Sequence, residues 1–127
     1  MASTPQFAST PNVGQVTIST ANTGRDGTGT LGTAFTAGAS GSTVTRMTVT
    51  ATGTTTAGVV RVFVNTGATY SLVKEILVTA ITPSTTVEAF REQVVFDPPL
   101  CLPTSYLLKA STHNAESFAI TTEGGNF

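Results

Sequence analysis

The sequence predicts an all-β domain, an antiparallel β-sandwich of about eight short strands arranged as in a jelly roll. The first observation is compositional: 27 of the 127 residues are threonine, and β-branched side chains suit strands better than helices. The second is that apolar residues come in short runs separated by turn clusters, and several runs alternate with polar residues. The third is that no run is long enough to be the helix of a βαβ unit.

The chain divides into an extended N-terminal arm over residues 1–12 and a single domain over residues 13–127. The arm contains two prolines and four Ser or Thr residues, and Phe7 is its only anchoring side chain. A length of 127 residues fits one domain. Nine runs separated by turn residues account for the predicted strands: residues 13–19, 31–37, 44–52, 59–65, 70–79, 86–96, 100–102, 106–110 and 118–122.

The clearest strand pattern lies over residues 44–52, where Met47, Val49 and Ala51 share one face and polar side chains occupy the other. A period of two over this length is typical of a half-buried antiparallel strand. Residues 86–96 leave two interpretations open, because Thr85 and Glu88 have the spacing of a helix capping box. A strand is favoured there, since its large apolar residues share one phase of a two-residue period.

Residues 59–64 and 73–78 carry apolar side chains on both faces of the predicted strands. A sandwich buries one face of each strand, so the second face needs cover from a loop, from the arm or from another subunit. Few loops are long enough to cover a sheet, and only 10% of residues are charged, which lowers the cost of burying a surface. We therefore predict a homo-oligomer whose interface includes five residues: Phe7, Arg61, Phe63, Val73 and Leu77.

Charge and composition argue against several classes of partner. A net charge of −1 offers no electrostatic footprint for nucleic acid, and no apolar stretch is long enough to span a membrane. The first residues lack the features of a secretory signal. Cys101 is the only cysteine, so no intrachain disulfide forms; its leucine neighbours predict that it is buried.

The sequence predicts neither an enzyme nor a cofactor or metal site. Residues 27–32 match G-x-G-x-x-G, but they lack the preceding strand and following helix that hold a pyrophosphate, and a glycine-rich loop is expected instead. His113 is expected to be a polar loop residue, because no ligand or nucleophile is suitably spaced around it or Cys101. Asp26 is expected to stabilise its own turn rather than to bind calcium.

Several segments resemble a family of small virion proteins from tailed phages and prophages. The resemblance is carried by residues 22–30 (NTGRDGTGT), 35–37 (FTA), 51–64 (ATGTTTAGVVRVFV), 74–75 (KE), 79–90 (TAITPSTTVEAF) and 102–127 (LPTSYLLKASTHNAESFAITTEGGNF). Relatives often carry Gly-Gly-Asp where this chain has Gly124, Gly125 and Asn126, so the chain departs from the family pattern there. Members generally have no assigned enzymatic activity.

The resemblance implies a non-enzymatic virion protein, and within that class a capsid decoration (cement) protein. Such a protein is made in the host cytoplasm, binds the major capsid protein on the outer surface of the head, and stabilises the shell as an oligomer, here expected to be a homotrimer. The alternative is a receptor- or glycan-binding module of a tail fibre or baseplate. In that case Tyr70 and Tyr106 are the tyrosines available to stack on a sugar.

Overall fold

A computed structural model describes residues 8–127, and these residues form eight strands and no helix. The predicted all-β antiparallel sandwich is confirmed. Phe7 and the rest of residues 1–7 lie outside the described residues. The strands are β1 (Thr10–Ile18), β2 (Gly32–Thr36), β3 (Ser42–Ala51), β4 (Gly58–Asn65), β5 (Tyr70–Val78), β6 (Arg91–Leu102), β7 (Leu107–Thr112) and β8 (Phe118–Asn126).

The strands form two four-stranded antiparallel sheets. The first sheet has the order β1-β8-β3-β6 and the second has the order β2-β7-β4-β5. Pairing is nested, because β1 pairs with β8, β2 with β7, β3 with β6 and β4 with β5. Only the connection between β4 and β5 stays within one sheet, so every other connection crosses from one sheet to the other. Within residues 8–127 there is no helix of the length and hydropathy that a membrane span needs.

One core lies between the sheets, and the strand alternation read from the sequence supplies it. Val44, Met47 and Val49 of β3 are fully buried there. Phe118 of β8 packs edge-on against Phe90, with ring centroids 6.3 Å apart. Fully burying an apolar side chain of this size contributes about 1.5 to 3 kcal/mol, so these residues dominate the stability of the domain.

Three strands differ from the prediction by more than two residues at one end: β1, β6 and β8, the last of which continues to Asn126. β1 begins at Thr10, and residues 10–12 pair with β8 although the prediction placed them in the arm. β6 is a single strand from Arg91 to Leu102 and continues through Pro98 and Pro99, which were expected to end it. Both β1 and β6 are edge strands, and the pairing of β6 with β3 passes from Val95 to Leu100. Pro98 and Pro99 therefore lie in a β-bulge of an edge strand, where a proline removes no ladder hydrogen bond.

Candidate functional site

The outer face of the second sheet is covered by the connection between β1 and β2, residues 19–31. Asn22 fastens this loop to β7, because its backbone N–H donates to the Thr112 carbonyl at 2.8 Å. Gly27 lies directly against the Tyr70 ring at the other end of the covered face. Its φ of +88° and this close approach both require glycine. The loop therefore provides the cover that the sequence analysis assigned to a second subunit.

Asn22 also organises the loop internally, and only 8% of it is exposed. Its side-chain amide donates to the Thr28 carbonyl at 2.8 Å and to the Thr30 carbonyl at 3.0 Å. Its side-chain oxygen accepts from the Gly24 N–H at 3.0 Å. The three hydrogen bonds of this one buried side chain thus hold residues 22–30 in a compact loop.

Asp26 stabilises the turn at the tip of this loop, as the sequence predicted. Its carboxylate accepts hydrogen bonds from the Thr28 hydroxyl at 2.7 Å and from the Thr28 N–H at 3.1 Å. These bonds, the hydroxyl first, lower the pKa of Asp26. The strand that follows residues 27–32 is β2, so this glycine-rich segment precedes a strand and not a phosphate-binding helix.

Arg61 lies beneath the loop and holds three elements together. The side chain is 1% exposed. Its Nε donates to the Glu75 carboxylate at 3.0 Å, Nη1 donates to the Asn22 carbonyl at 3.3 Å, and Nη2 lies 3.3 Å from Nδ1 of His113. A guanidinium has only donors, so Nδ1 of His113 accepts and a neutral His113 ring carries its proton on Nε2. We call this group of side chains the Arg61 network.

Glu75 links the Arg61 network to the loop surface. The same carboxylate oxygen accepts from Nε of Arg25 at 3.0 Å. The hydrogen bond from Arg25 is the main cause of the lowered pKa of Glu75; desolvation opposes it, and the hydrogen bond from Arg61 lowers the pKa further. Every charged group here faces an opposite charge, an arrangement that suits a structural role for the network.

The ion pairs of Glu75 make the stability of the fold depend on pH. Because the folded-state pKa lies below the ordinary value of 4.5, their contribution is fully present above about pH 4.5 and is lost as the pH falls through the folded-state pKa. We expect the urea midpoint of the wild type to exceed that of Glu75→Gln at pH 7, and the difference to shrink at pH 3. The pKa of Asp26 is lowered in both proteins, so its contribution cancels when the two midpoints are compared. An undiminished difference at pH 3 would contradict the ion-pair assignment.

Two of the five predicted interface residues are corrected by this geometry. Arg61 and Phe63 are 1% and 0% exposed within a single chain, so neither offers surface to a partner. Phe63 lies under the same loop and contacts Tyr70 edge-on, with a centroid distance of 6.4 Å. The prediction failed because the β1–β2 loop, composed mainly of Thr, Gly and Asn, has no apolar pattern that identifies it as a cover.

The other two described residues of the predicted interface, Val73 and Leu77, are exposed. Val73 is 39% exposed and Leu77 is 78% exposed, both on β5 at the edge of the second sheet. Val95 on β6, at the adjacent edge of the first sheet, is 65% exposed. The sequence analysis missed Val95, although a two-residue period places it on the opposite face from Val94 and Phe96.

A groove opens between these two strand edges. Its volume is about 440 Å³, and its lining residues are Lys74, Glu75, Ile76 and Leu77 on β5 with Glu92, Gln93, Val94 and Val95 on β6. Among residues 8–127, no strand pairs with the outer edge of β5 or of β6. A free edge presents unpaired N–H and C=O groups that can accept another strand. We call this feature the β5–β6 groove.

The remaining candidate residues do not assemble into a chemical site. Cys101 is exposed rather than buried as predicted, because it faces outward between the inward-facing Leu100 and Leu102. His113 follows β7 directly and serves the Arg61 network. In the part of the chain that the structure describes, no three His, Cys, Asp or Glu side chains are grouped so as to hold a metal ion.

Asn126 of β8 joins three neighbouring strands of the first sheet. Its side-chain oxygen accepts from the Asn12 amide at 2.8 Å and from the Ser42 hydroxyl at 2.6 Å, which fastens β1 and β3 to β8. The hydroxyl of Ser42 in turn accepts from the Gly38 N–H at 2.8 Å. A carboxylate oxygen could accept the same two bonds.

Comparison of the chain with protein-family models, with curated proteins and with solved structures gave no match.

Proposed function

We propose that the protein is a non-enzymatic structural component of a phage virion, a capsid decoration protein that self-associates and stabilises the head shell. The virion role follows from the sequence resemblance, and the observation that carries protein binding is the β5–β6 groove, where Leu77 and Val95 remain 78% and 65% exposed at neighbouring strand edges. Exposed apolar groups beside free strand edges are typical of a surface that binds protein. The proposed partners are further copies of the chain and the major capsid protein.

The topology supports a jelly-roll description of the sandwich. A jelly roll has eight strands in two sheets, and it can be viewed as one long antiparallel hairpin rolled up on itself. The nested pairs β1–β8, β2–β7, β3–β6 and β4–β5 are those of such a hairpin. This assignment concerns the fold alone, since one fold hosts many functions.

The arm is the segment through which we propose that the domain binds the shell. Within the described part of the arm, the Ser9 N–H donates to the Asn126 carbonyl at 2.8 Å. Removing residues 1–7 therefore leaves the described hydrogen bonds intact. Binding through many repeated weak sites gives the avidity that a decoration protein needs.

We expect a variant lacking residues 1–7 to bind capsids at least about tenfold more weakly than the wild type, and circular dichroism checks that it retains the β-sandwich. Co-sedimentation with expanded empty capsids of the phage or prophage that encodes the chain measures this. Phe7→Ala in the full chain serves as the matched point variant, because it removes only the anchoring side chain. Unchanged capsid binding by both variants would contradict a binding role for the arm.

A glycan-binding role is the alternative that the same proposal must exclude. Tyr70 and Tyr106 are both half-buried, and Tyr70 is packed between Gly27 and Phe63. Both rings are therefore partly covered within one chain, which leaves less surface for stacking on a sugar. Clear hits on a glycan array, without co-sedimentation with capsids, would favour the tail-fibre or baseplate module over the decoration protein.

A further inference from the structure

We propose that the outer face of the first sheet is the surface through which two copies of this chain form a two-fold symmetric dimer, with the two sheets packed face to face. The inference deepens the self-association in the proposed function and rests on it for its role, but the contact itself requires no capsid. The occupant is a second copy because the pattern of side chains on this face is complementary to itself.

The first sheet has an inner face that belongs to the core and an outer face that carries the alternate side chains. Met47 of β3 is fully buried in the core, so its neighbour Arg46 points outward. Arg46 pairs with Glu123 of β8 and with Val95 of β6. Glu123 pairs in turn with Val13 of β1. Because paired residues share a face, these residues form one outward row, which in sheet order is Val13, Glu123, Arg46 and Val95.

A second outward row lies two residues further along the strands. It runs in the same order from β1 to β6 and consists of Gln15, Thr121, Thr48 and Gln93. None of the eight side chains in the two rows is buried, and Val13 is 62% exposed. Only Arg46 and Glu123 among them are charged, which keeps the desolvation cost of burying the rows low. We call these two rows the first-sheet face.

Each row of the first-sheet face reads alike from either edge of the sheet. One row has a valine at each edge and two opposite charges in the middle, and the other has a glutamine at each edge and two threonines in the middle. A two-fold axis that lies between two facing sheets and runs along the strands, midway between β8 and β3, keeps the position along the strands and exchanges the positions across the sheet. Each row then meets itself: valine faces valine, glutamine faces glutamine, and Glu123 faces Arg46 of the second copy.

Charge fixes the orientation of this contact. Within one chain, Nη2 of Arg46 donates to the Glu123 carboxylate at 2.6 Å. The proposed axis stacks two such pairs head to tail, so each charge gains a second opposite charge and like charges lie on the diagonals. An axis shifted onto β3 or β8 would stack Arg46 or Glu123 on its own copy. An axis across the strands would set Arg46 opposite itself or opposite a threonine of β3.

The size of the sheet fits a reversible dimer. Four strands about 4.8 Å apart, paired over roughly 27 Å of their length, present on the order of 500 Å² of flat area. Two copies then bury about 1,000 Å², which is the size of weak, reversible interfaces. Packed sheets keep their strands within about 30° of each other, so side chains near the centre of the contact stay matched. Arg46 and Thr48 lie in the middle of β3, where the two rows meet their copies.

The first test measures the association of the full chain in solution, by sedimentation velocity over a concentration series. A reversible dimer of twice 13.0 kDa is expected. Arg46→Glu and Glu123→Arg should each raise its dissociation constant on the order of 100-fold, because the two-fold axis repeats every like-charge contact. Leu77→Lys, on β5 of the other sheet, is the matched control and should leave the constant unchanged.

A mixture of the two charge variants separates the contact between chains from the ion pair within each chain. Each variant lacks its own intrachain pair whether or not it is mixed. The first-sheet face of R46E is acidic and that of E123R is basic, so the mixture should form a heterodimer at least about tenfold more tightly than either variant associates with itself. Formation of the heterodimer also excludes misfolding as the cause of the single-variant losses.

A monomer from about 1 μM to about 1 mM, a trimer as expected from the sequence, charge variants that dimerise like the wild type, or a mixture that does not associate would each overturn the proposal. So would a monomeric variant lacking residues 1–7, because the arm would then be the element that joins the copies. None of these measurements involves capsids. A dimer that fails to bind capsids therefore rejects the decoration role and leaves this contact standing, whereas a monomer that binds capsids rejects this contact and leaves the decoration role standing.

The second test fixes the orientation in the Cys101→Ser background, with a thiol cross-linker no longer than the roughly 10 Å between packed sheets. The proposed axis sets Val13 opposite Val95 of the second copy, whereas within one chain the two residues are three strand spacings apart, about 14 Å. The variant V13C/V95C should therefore form a covalent dimer. V13C alone should remain uncross-linked, because its two copies lie at opposite edges of the contact. Cross-linking by V13C alone would indicate an axis across the strands and would overturn the proposed arrangement.

Discussion

Arg61→Ala is expected to lower the free energy of unfolding by about 3 kcal/mol, the lower end of the cost of breaking a buried ion pair. The substitution removes a side chain that is 1% exposed and leaves the Asn22 carbonyl and Nδ1 of His113 without their donor. Glu75 regains water because 36% of its side chain is exposed, which keeps the loss from being larger. Urea denaturation monitored by circular dichroism measures the change.

Arg25→Ala is the matched control for this prediction. Arg25 donates to the same Glu75 oxygen at the same distance of 3.0 Å, but 63% of its side chain is exposed. Exposed ion pairs contribute little, so we expect a loss below about 1 kcal/mol. Arg61→Lys should fall between the two, because an ammonium cannot donate in the planar fork that reaches three partners. Equal losses for Arg25→Ala and Arg61→Ala would contradict the burial argument.

Asn22→Ala is expected to cost about 2 to 3 kcal/mol, because three side-chain hydrogen bonds of a residue that is 8% exposed are lost together. The loop of residues 23–31 should open, and hydrogen exchange of its amides should accelerate. Since the loop covers Arg61 and Phe63, amide protection of β4 should also fall.

Asn114→Ala tests whether that loss reflects burial or merely the number of hydrogen bonds. The Asn114 amide donates to the Thr56 hydroxyl at 3.1 Å and to the Ala57 carbonyl at 3.2 Å, but both bonds are exposed. We expect a loss of at most about 1 kcal/mol and no change in exchange over residues 23–31. Accelerated exchange of that loop in both variants would show that Asn22 is not what holds the loop closed.

The two large predictions concern the interior of one chain, whereas the groove concerns contact between chains. This separation is useful experimentally. Arg61 lies under the β1–β2 loop, of which Asn22 is part, whereas Leu77 and Val95 are exposed at the sheet edges.

The strands themselves were largely predictable, because side-chain alternation is a local property. The alternation over residues 44–52 identified the buried face of β3 correctly, with Met47 and Val49 fully buried. The same rule applied to Leu100 and Leu102 would have placed Cys101 outward, but its apolar neighbours were given more weight than the period. The proline pair in β6 was misjudged because the sequence does not reveal which strands are at an edge.

The sequence by itself determined the class of fold, the positions of the strands and the excess of apolar residues on β4 and β5. Only the tertiary structure decided which of those residues remain exposed to solvent. The β1–β2 loop covers β4 and leaves Leu77 of β5 exposed, and Val95 becomes its neighbour only because β5 and β6 end up as adjacent edges of different sheets. The physical reason is that alternation fixes which way a side chain points, whereas its cover depends on contacts between residues far apart in the chain.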